Sequence, residues 1–380
     1  MVRGSQSGDL RPVDWSWRFG VLLGLALACG EEGGKSVDDT TSDTDSGSTL
    51  SGSVTLPEAI DPAGLVSAIT EEACTLSSGV ETTCWSVTLI GAPSDHEVGP
   101  FCPRTITDDA SQAGIWIESG ATYDVDGSFI TGLATFYDDP AWMLYDEATG
   151  LVNVTDTEES CTAAARPDVD PQYNNYCVEC SLDYIDGGGV ATTVLIPKVP
   201  VPLDAPTEIG FQGQVGVALN GVAFDPPAPV AGILGAHTIA AFDDCGGHVN
   251  LAAGYHYHAA TGCSKEVPTD DGHAALIGFA LDGYPIHTQT DEDGAEPDDL
   301  DECRGHTDAE RGYHYHVAGP GENMFVGCFH GDIVASTAGG PPGGGVPEVA
   351  ECTTGQTERC CGDGVCDGPE TAANCAADCG

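Results

Sequence analysis

Gly254-Tyr255-His256-Tyr257-His258 returns later in the chain as Gly312-Tyr313-His314-Tyr315-His316, and the alternation in both copies decides the fold class. Aromatic residues in a period of two are the pattern of a strand, on which alternate side chains share a face. His256 and His258 then project together about 7 Å apart at the backbone, as do His314 and His316, while the tyrosines face the other way. Two imidazoles at that spacing can converge on one ion. A single strand of this kind equally suits histidines that only satisfy backbone carbonyls.

Working outward, the motif belongs to a longer unit that occurs twice, at about 216–263 and 278–328. Asn220-Gly221 in Gly216-Val-Ala-Leu-Asn-Gly221 matches Asp282-Gly283 in Gly278-Phe-Ala-Leu-Asp-Gly283, and both dipeptides predict tight two-residue hairpin turns. Asp244-Cys245-Gly246-Gly247-His248 matches Glu302-Cys303-Arg304-Gly305-His306, and each of these histidines precedes the first His of its Y-H-Y-H by eight positions. Such an internal duplication puts three histidines at matching places: His248, His256, His258 and His306, His314, His316. Ten of the 11 histidines fall between His237 and His330, so the isolated-strand reading gives way to metal ligation. Three neutral imidazoles suit zinc or copper, and the scarcity of Met argues against a store for soft Cu⁺. Symmetry suggests one bridge per repeat, Cys245 to Cys263 and Cys303 to Cys328.

These residues resemble the YHYH-domain family of exported proteins. The resemblance takes in Gly91-Ala-Pro-Ser-Asp-His96, Ala218-Leu-Asn-Gly-Val-Ala-Phe224, Cys245-Gly-Gly-His248, His273-Ala-Ala-Leu-Ile-Gly-Phe-Ala-Leu-Asp-Gly-Tyr-Pro-Ile286 and Gly327-Cys328-Phe329-His330-Gly331. It runs from about Trp85 to Asp332, with extra chain between about Asp109 and Gly187. The resemblance implies domain limits and draws His96 and His273 into the ligand set. His287 and His330 depart from the pattern and are not expected as ligands. No biochemical activity comes with the resemblance.

Composition sets the compartment and the partners. Sixty Asp+Glu against 11 Lys+Arg leave a net charge of −49, which repels a phosphate backbone and concentrates cations at the surface. Nucleic acid is excluded as a partner. Seventeen Cys belong in an oxidising compartment. Arg3, Arg11 and Arg18 precede an apolar run from Phe19 to Ala28, which predicts a signal peptide at 1–28. Leu25-Ala26-Leu27-Ala28-Cys29-Gly30 resembles a bacterial lipobox, departing from it at Ala26, and implies lipidation of Cys29. A conventional signal peptide that discards Cys29 is the alternative. The expected location is the cell envelope, as an outer-membrane-anchored lipoprotein whose lipid is its only membrane contact, or else secretion.

Residues 29–53 lack apolar side chains and read as a disordered tether. Short Val-, Ile-, Thr- and aromatic-rich runs between Gly, Pro and Asp clusters fill 54–332, with no convincing helical period. Cys161, Cys177 and Cys180 mark a disulfide-stapled excursion, although Cys177-Val-Glu-Cys180 also has the spacing of half a zinc site. A Gly/Pro linker at 333–351 leads to a cysteine-rich module at 352–380, too small for an apolar core. There Asp363, Asp367, Glu370 and Asp378 are candidate calcium ligands, or else solvated surface carboxylates. The expected class is all-β: a β-rich sandwich or barrel-like domain with an internal two-fold repeat, plus the disulfide-stapled C-terminal module. Its expected function is copper or zinc binding. Two alternatives are a metal-dependent envelope enzyme of hydrolase or oxidase type, with Asp244, Asp282 or Glu302 as base, and a surface interaction or adhesion module with a structural His/Tyr core.

Overall fold

Both hairpins form and lie side by side at the centre of one sheet in the computed structural model, which describes residues 55–335 except 167 and 210–212. The signal peptide, Cys29, the tether, most of the linker and the C-terminal module with Asp363, Asp367, Glu370 and Asp378 lie outside the described residues.

The first repeat supplies β1 (Gly216–Ala218), β2 (Ala223–Phe224), β3 (Gly247–Asn250) and β4 (Gly254–Tyr257). The second supplies β5 (Leu276–Ala280), β6 (Pro285–His287), β7 (Gly305–Asp308) and β8 (Gly312–His316). Their order across the sheet is β3-β4-β2-β1-β5-β6-β8-β7, a palindrome of the two repeats. Within each half the hairpin is antiparallel, its second strand runs parallel to the His-x-His strand, and that strand pairs antiparallel with the strand of the C-x-x-H motif. The halves meet through antiparallel pairs Gly278↔Ala218, Phe279↔Val217 and Ala280↔Gly216, so a pseudo-twofold axis passes between β1 and β5. Every residue of these two central strands is buried. Their sequences are accordingly continuous apolar runs and do not alternate.

The turns correct the two-residue expectation. Gly221 donates its N–H to Ala218 O and Ala218 donates to Val222 O, which leaves Leu219, Asn220 and Gly221 in a three-residue loop. Gly283, Ala280 and Tyr284 repeat the arrangement. Gly221 (φ +82°) and Gly283 (φ +92°) take the left-handed position that closes such a loop with a bulge.

The remaining strands also form open sheets: Thr70–Thr75, Glu81–Leu89 and Thr192–Pro197 in one, with smaller pairs around it. Helices are few. Gly127–Phe136, capped by the Asp126 carboxylate accepting from Phe129 N–H, is the longest described, and no helical period was expected there. Ile115–Glu118 and Phe242 exchange backbone hydrogen bonds, which brings part of the extra chain against the first repeat. Five disulfides are present among the described residues, including Cys245–Cys263 and Cys303–Cys328 as symmetry required. Cys177 and Cys180 enter different bridges, to Cys102 and Cys161, which removes the zinc half-site reading. Ile333 and Val334, expected at the start of the linker, are buried.

Two candidate metal centres

The eight-residue interval between C-x-x-H and Y-H-Y-H is a cross-strand register. In the β3–β4 hairpin His248 stands opposite His256, and in the β7–β8 hairpin His306 stands opposite His314. Alternation along β4 and β8 adds His258 and His316 to the same faces. Two clusters result, His248, His256, His258 and His273, His306, His314, His316, with one ring nitrogen of each member within 4.8 Å of those of the others. His248 Nε2 lies 3.1 Å from His256 Nε2. His314 Nε2 lies 2.9 Å from the Nε2 atoms of both His273 and His306.

The partners of the other ring nitrogen fix the tautomers. Nδ1 of His256, His258, His273, His314 and His316 lies 2.7–3.1 Å from the carbonyl oxygens of Gly254, Pro226, Ala274, Gly312 and Thr288. Nδ1 of His306 lies 2.6 Å from Asp299 Oδ1. Carbonyl and carboxylate oxygens only accept, so each Nδ1 carries the proton and, in a neutral ring, each Nε2 presents a lone pair to the cluster. Burial favours the neutral form of His248, His258, His314 and His316. It pushes His258 and His316 down to about 3 and His314 to about 4, and holds His248 well below its ordinary value. Lone pairs facing one another at hydrogen-bond distance repel unless a cation lies among them. Nδ1–H held by a carbonyl or carboxylate, with Nε2 free, is also how metal-ligating histidines are oriented.

The opposite face holds this geometry in place. The Tyr255 hydroxyl donates to Asp243 (2.8 Å), and its equivalent Tyr313 donates to Asp301 (2.9 Å). Tyr257 accepts from Asn220 Nδ2 (2.9 Å), while Tyr315 donates to Asp282. Each hairpin turn is therefore tied to the second tyrosine of its own Y-H-Y-H. A Cβ on Gly247 would come within 2.4 Å of the Tyr255 hydroxyl, and one on Gly305 within 2.2 Å of that of Tyr313, which explains the glycine before each C-x-x-H histidine. Asp282 is fully buried in this layer and serves Tyr315, Tyr284 N–H and Gly331 N–H, away from the imidazoles. It does not fit the role of a base at the cluster.

Of the histidines expected as ligands, His96 joins neither cluster. Its ring contacts Tyr255 and Tyr257 on the tyrosine face, and Nδ1 bonds Asp95. His330 stacks on Tyr313, and His237 bonds Asp139. His287, left out on sequence grounds, sits beside the second cluster with its ring centroid 4.7 Å from that of His273 and 5.1 Å from that of His314. Its Nδ1 donates to Ala274 O (2.8 Å), and burial pushes it down to about 3. Asp225 is a further omission: Oδ2 lies 3.8 Å from His256 Nε2. The doubled unit carried the signal for both, because counting from Gly221 and Gly283 puts Asp225 and His287 at the same repeat position.

The first cluster is walled by Phe242, whose ring contacts His248 and His258. Among the described residues three buried side-chain atoms have no hydrogen-bond partner: Gln214 Oε1, Asp225 Oδ1 and His316 Nε2. Two of the three belong to these sites. In comparisons with known proteins, the family model described as YHYH protein matches residues 193–299, and the chain carries a domain of that kind there. The match takes in β1 to β6, with the whole first cluster and His273 and His287, and ends before β7. No curated protein and no solved structure matches the chain.

Proposed function

From a YHYH domain with a histidine cluster in each of its two repeats, we propose that this protein binds two transition-metal ions, copper or zinc, at the cell envelope. The observation that carries the reading is the convergence of ring nitrogens within 4.8 Å in each cluster, three Nε2 pairs at 2.9–3.1 Å, with each ring's Nδ1–H already committed to an oxygen except in His248. Buried imidazoles held neutral are ready ligands, since no proton has to be displaced from Nε2 at neutral pH.

The surrounding acid, 60 Asp+Glu in all, raises the local concentration of cations. Export is supported by the five disulfides and by the apolar run behind three arginines, and anchoring by a lipid on Cys29 is part of the proposal. Elemental analysis of protein purified from an oxidising compartment tests the reading. The expectation is two equivalents of copper plus zinc, falling to one in His256→Ala/His258→Ala and to one in His314→Ala/His316→Ala. Folded protein that takes up neither metal overturns it. Detergent partition of wild type against Cys29→Ala, with the mutant alone leaving the membrane fraction, tests the anchor.

A further inference from the structure

We infer that the two centres are different metal sites, sorted by the residue at one repeat position: Asp225 gives the first a carboxylate oxygen for zinc, and His287 leaves the second all-nitrogen for copper. The inference rests on the metal-binding reading and names which ion each centre takes.

The equivalence of the two positions is structural as well as sequential. β2 and β6 run parallel to β4 and β8 in the same register, Phe224 pairing with Tyr257 as Ile286 pairs with Tyr315. The next pair in the second repeat is His287 with His316, so Asp225 stands beside His258. The repeats diverge a second time, because the residue matching His273 under the same hairpin alignment is Phe211 in the sequence. The first repeat thus offers three imidazoles and a carboxylate, and the second offers four imidazoles with a fifth alongside.

Geometry separates the two sets further. Asp225 turns toward the first cluster with Oδ2 3.8 Å from His256 Nε2, yet Oδ1 is buried and bonds to nothing in the protein. A buried carboxylate oxygen with no partner is costly unless a cation lies against it. A set of three imidazoles and one carboxylate suits Zn²⁺. His314 Nε2 is 2.9 Å from the Nε2 atoms of both His273 and His306, in an all-nitrogen set that suits Cu²⁺. His316 Nε2, fully buried and unpartnered, completes that set.

Full-length protein is stripped with chelator, refilled with an equimolar mixture of ZnSO₄ and CuSO₄, and analysed for metal content and for nitrogen splitting in the Cu²⁺ electron paramagnetic resonance spectrum. Wild type is expected to hold one zinc and one copper, the copper spectrum showing four nitrogens. Asp225→Asn keeps the shape of the side chain, and should weaken zinc about tenfold or more while leaving copper in place. Asp225→His should bring copper toward two equivalents. Two equivalents of a single metal in wild type, or an Asp225→Asn protein with unchanged zinc affinity, overturns the sorting and leaves metal binding standing. A wild type that binds neither ion fails the metal-binding reading itself.

Discussion

The two repeats share a scaffold and differ in what they offer a ligand. Hairpin, cross-strand His pair, bridging cysteines and pinned tyrosines recur, while Asn220 becomes Asp282, Asp225 becomes His287 and His273 is added. In the first repeat Tyr255 and Tyr257 are both fully buried, and Phe242 leans on the imidazoles. In the second, Tyr313 is only partly buried and Asp299 reaches His306 from the surface. Where a side chain sets the register of the sheet it is kept in both halves.

Several measurements would break or sharpen that contrast. The largest effect is expected from His314→Ala/His316→Ala: metal affinity at the second centre should fall by about 100-fold or more, the first centre keeping its ion, as read by competition with a chromophoric chelator. Equal losses at both centres would show a shared site. Next comes Asp282→Ala, which leaves the buried Tyr315 hydroxyl and two backbone N–H groups without their acceptor and should cost about 3 kcal/mol in urea unfolding. Asn220→Ala removes a neutral side chain that donates to Tyr257 and Asp95 and accepts from Val222 N–H, and should cost about 2 kcal/mol, less than Asp282→Ala in the same assay. Gly247→Ala should cost about 2 kcal/mol and Gly305→Ala less, because Tyr255 is fully buried whereas Tyr313 has room to move.

The smallest effect is on pH. In metal-free protein His258, His287 and His316 titrate at about 3 and His314 at about 4, while His248 is also held low. Unfolded, each takes up a proton near 6.5, so the unfolded state binds more protons and stability falls as pH drops below about 6.5 toward those folded values. Asp124, Asp225, Asp243, Asp244, Glu266 and Asp282, raised by burial, work in the opposite direction below their own raised values. The five histidines pass their ordinary value between pH 7.5 and 5.5, and that makes the slope across this interval downward. The urea midpoint in chelator should be lower at pH 5.5 than at pH 7.5, and a flat profile would show that the rings are charged or exposed in the fold.

Much of this was legible in the residues. Period-two alternation separated imidazoles from phenols, the equal eight-residue intervals marked His248 and His306, and repeat symmetry paired Cys245 with Cys263 and Cys303 with Cys328. What pattern could not supply was which segment packs on which face. His96 precedes the repeats by more than 100 residues and reaches the tyrosines through the loop that also hydrogen-bonds Tyr255 from Gly91 O. His273 enters the second cluster because β5 lies at the middle of the sheet, two strands from β8. Asp225 looked like one acid among sixty until its neighbours were in place. The hairpin loops misled by one residue because Asn-Gly and Asp-Gly serve three-residue loops as well as two-residue ones, and here Asn220 and Asp282 are held by tyrosines.

A single peptide oxygen at Ala274 accepts from both His273 Nδ1 and His287 Nδ1, at 2.9 and 2.8 Å. The first centre spreads the same duty over Gly254, at the start of β4, and Pro226, just past the end of β2. The second centre therefore has one mechanical latch for two of its rings. A rotation of the 274–275 peptide, at the entrance to β5, would unlock both at once, whereas the first centre can only be dismantled ring by ring.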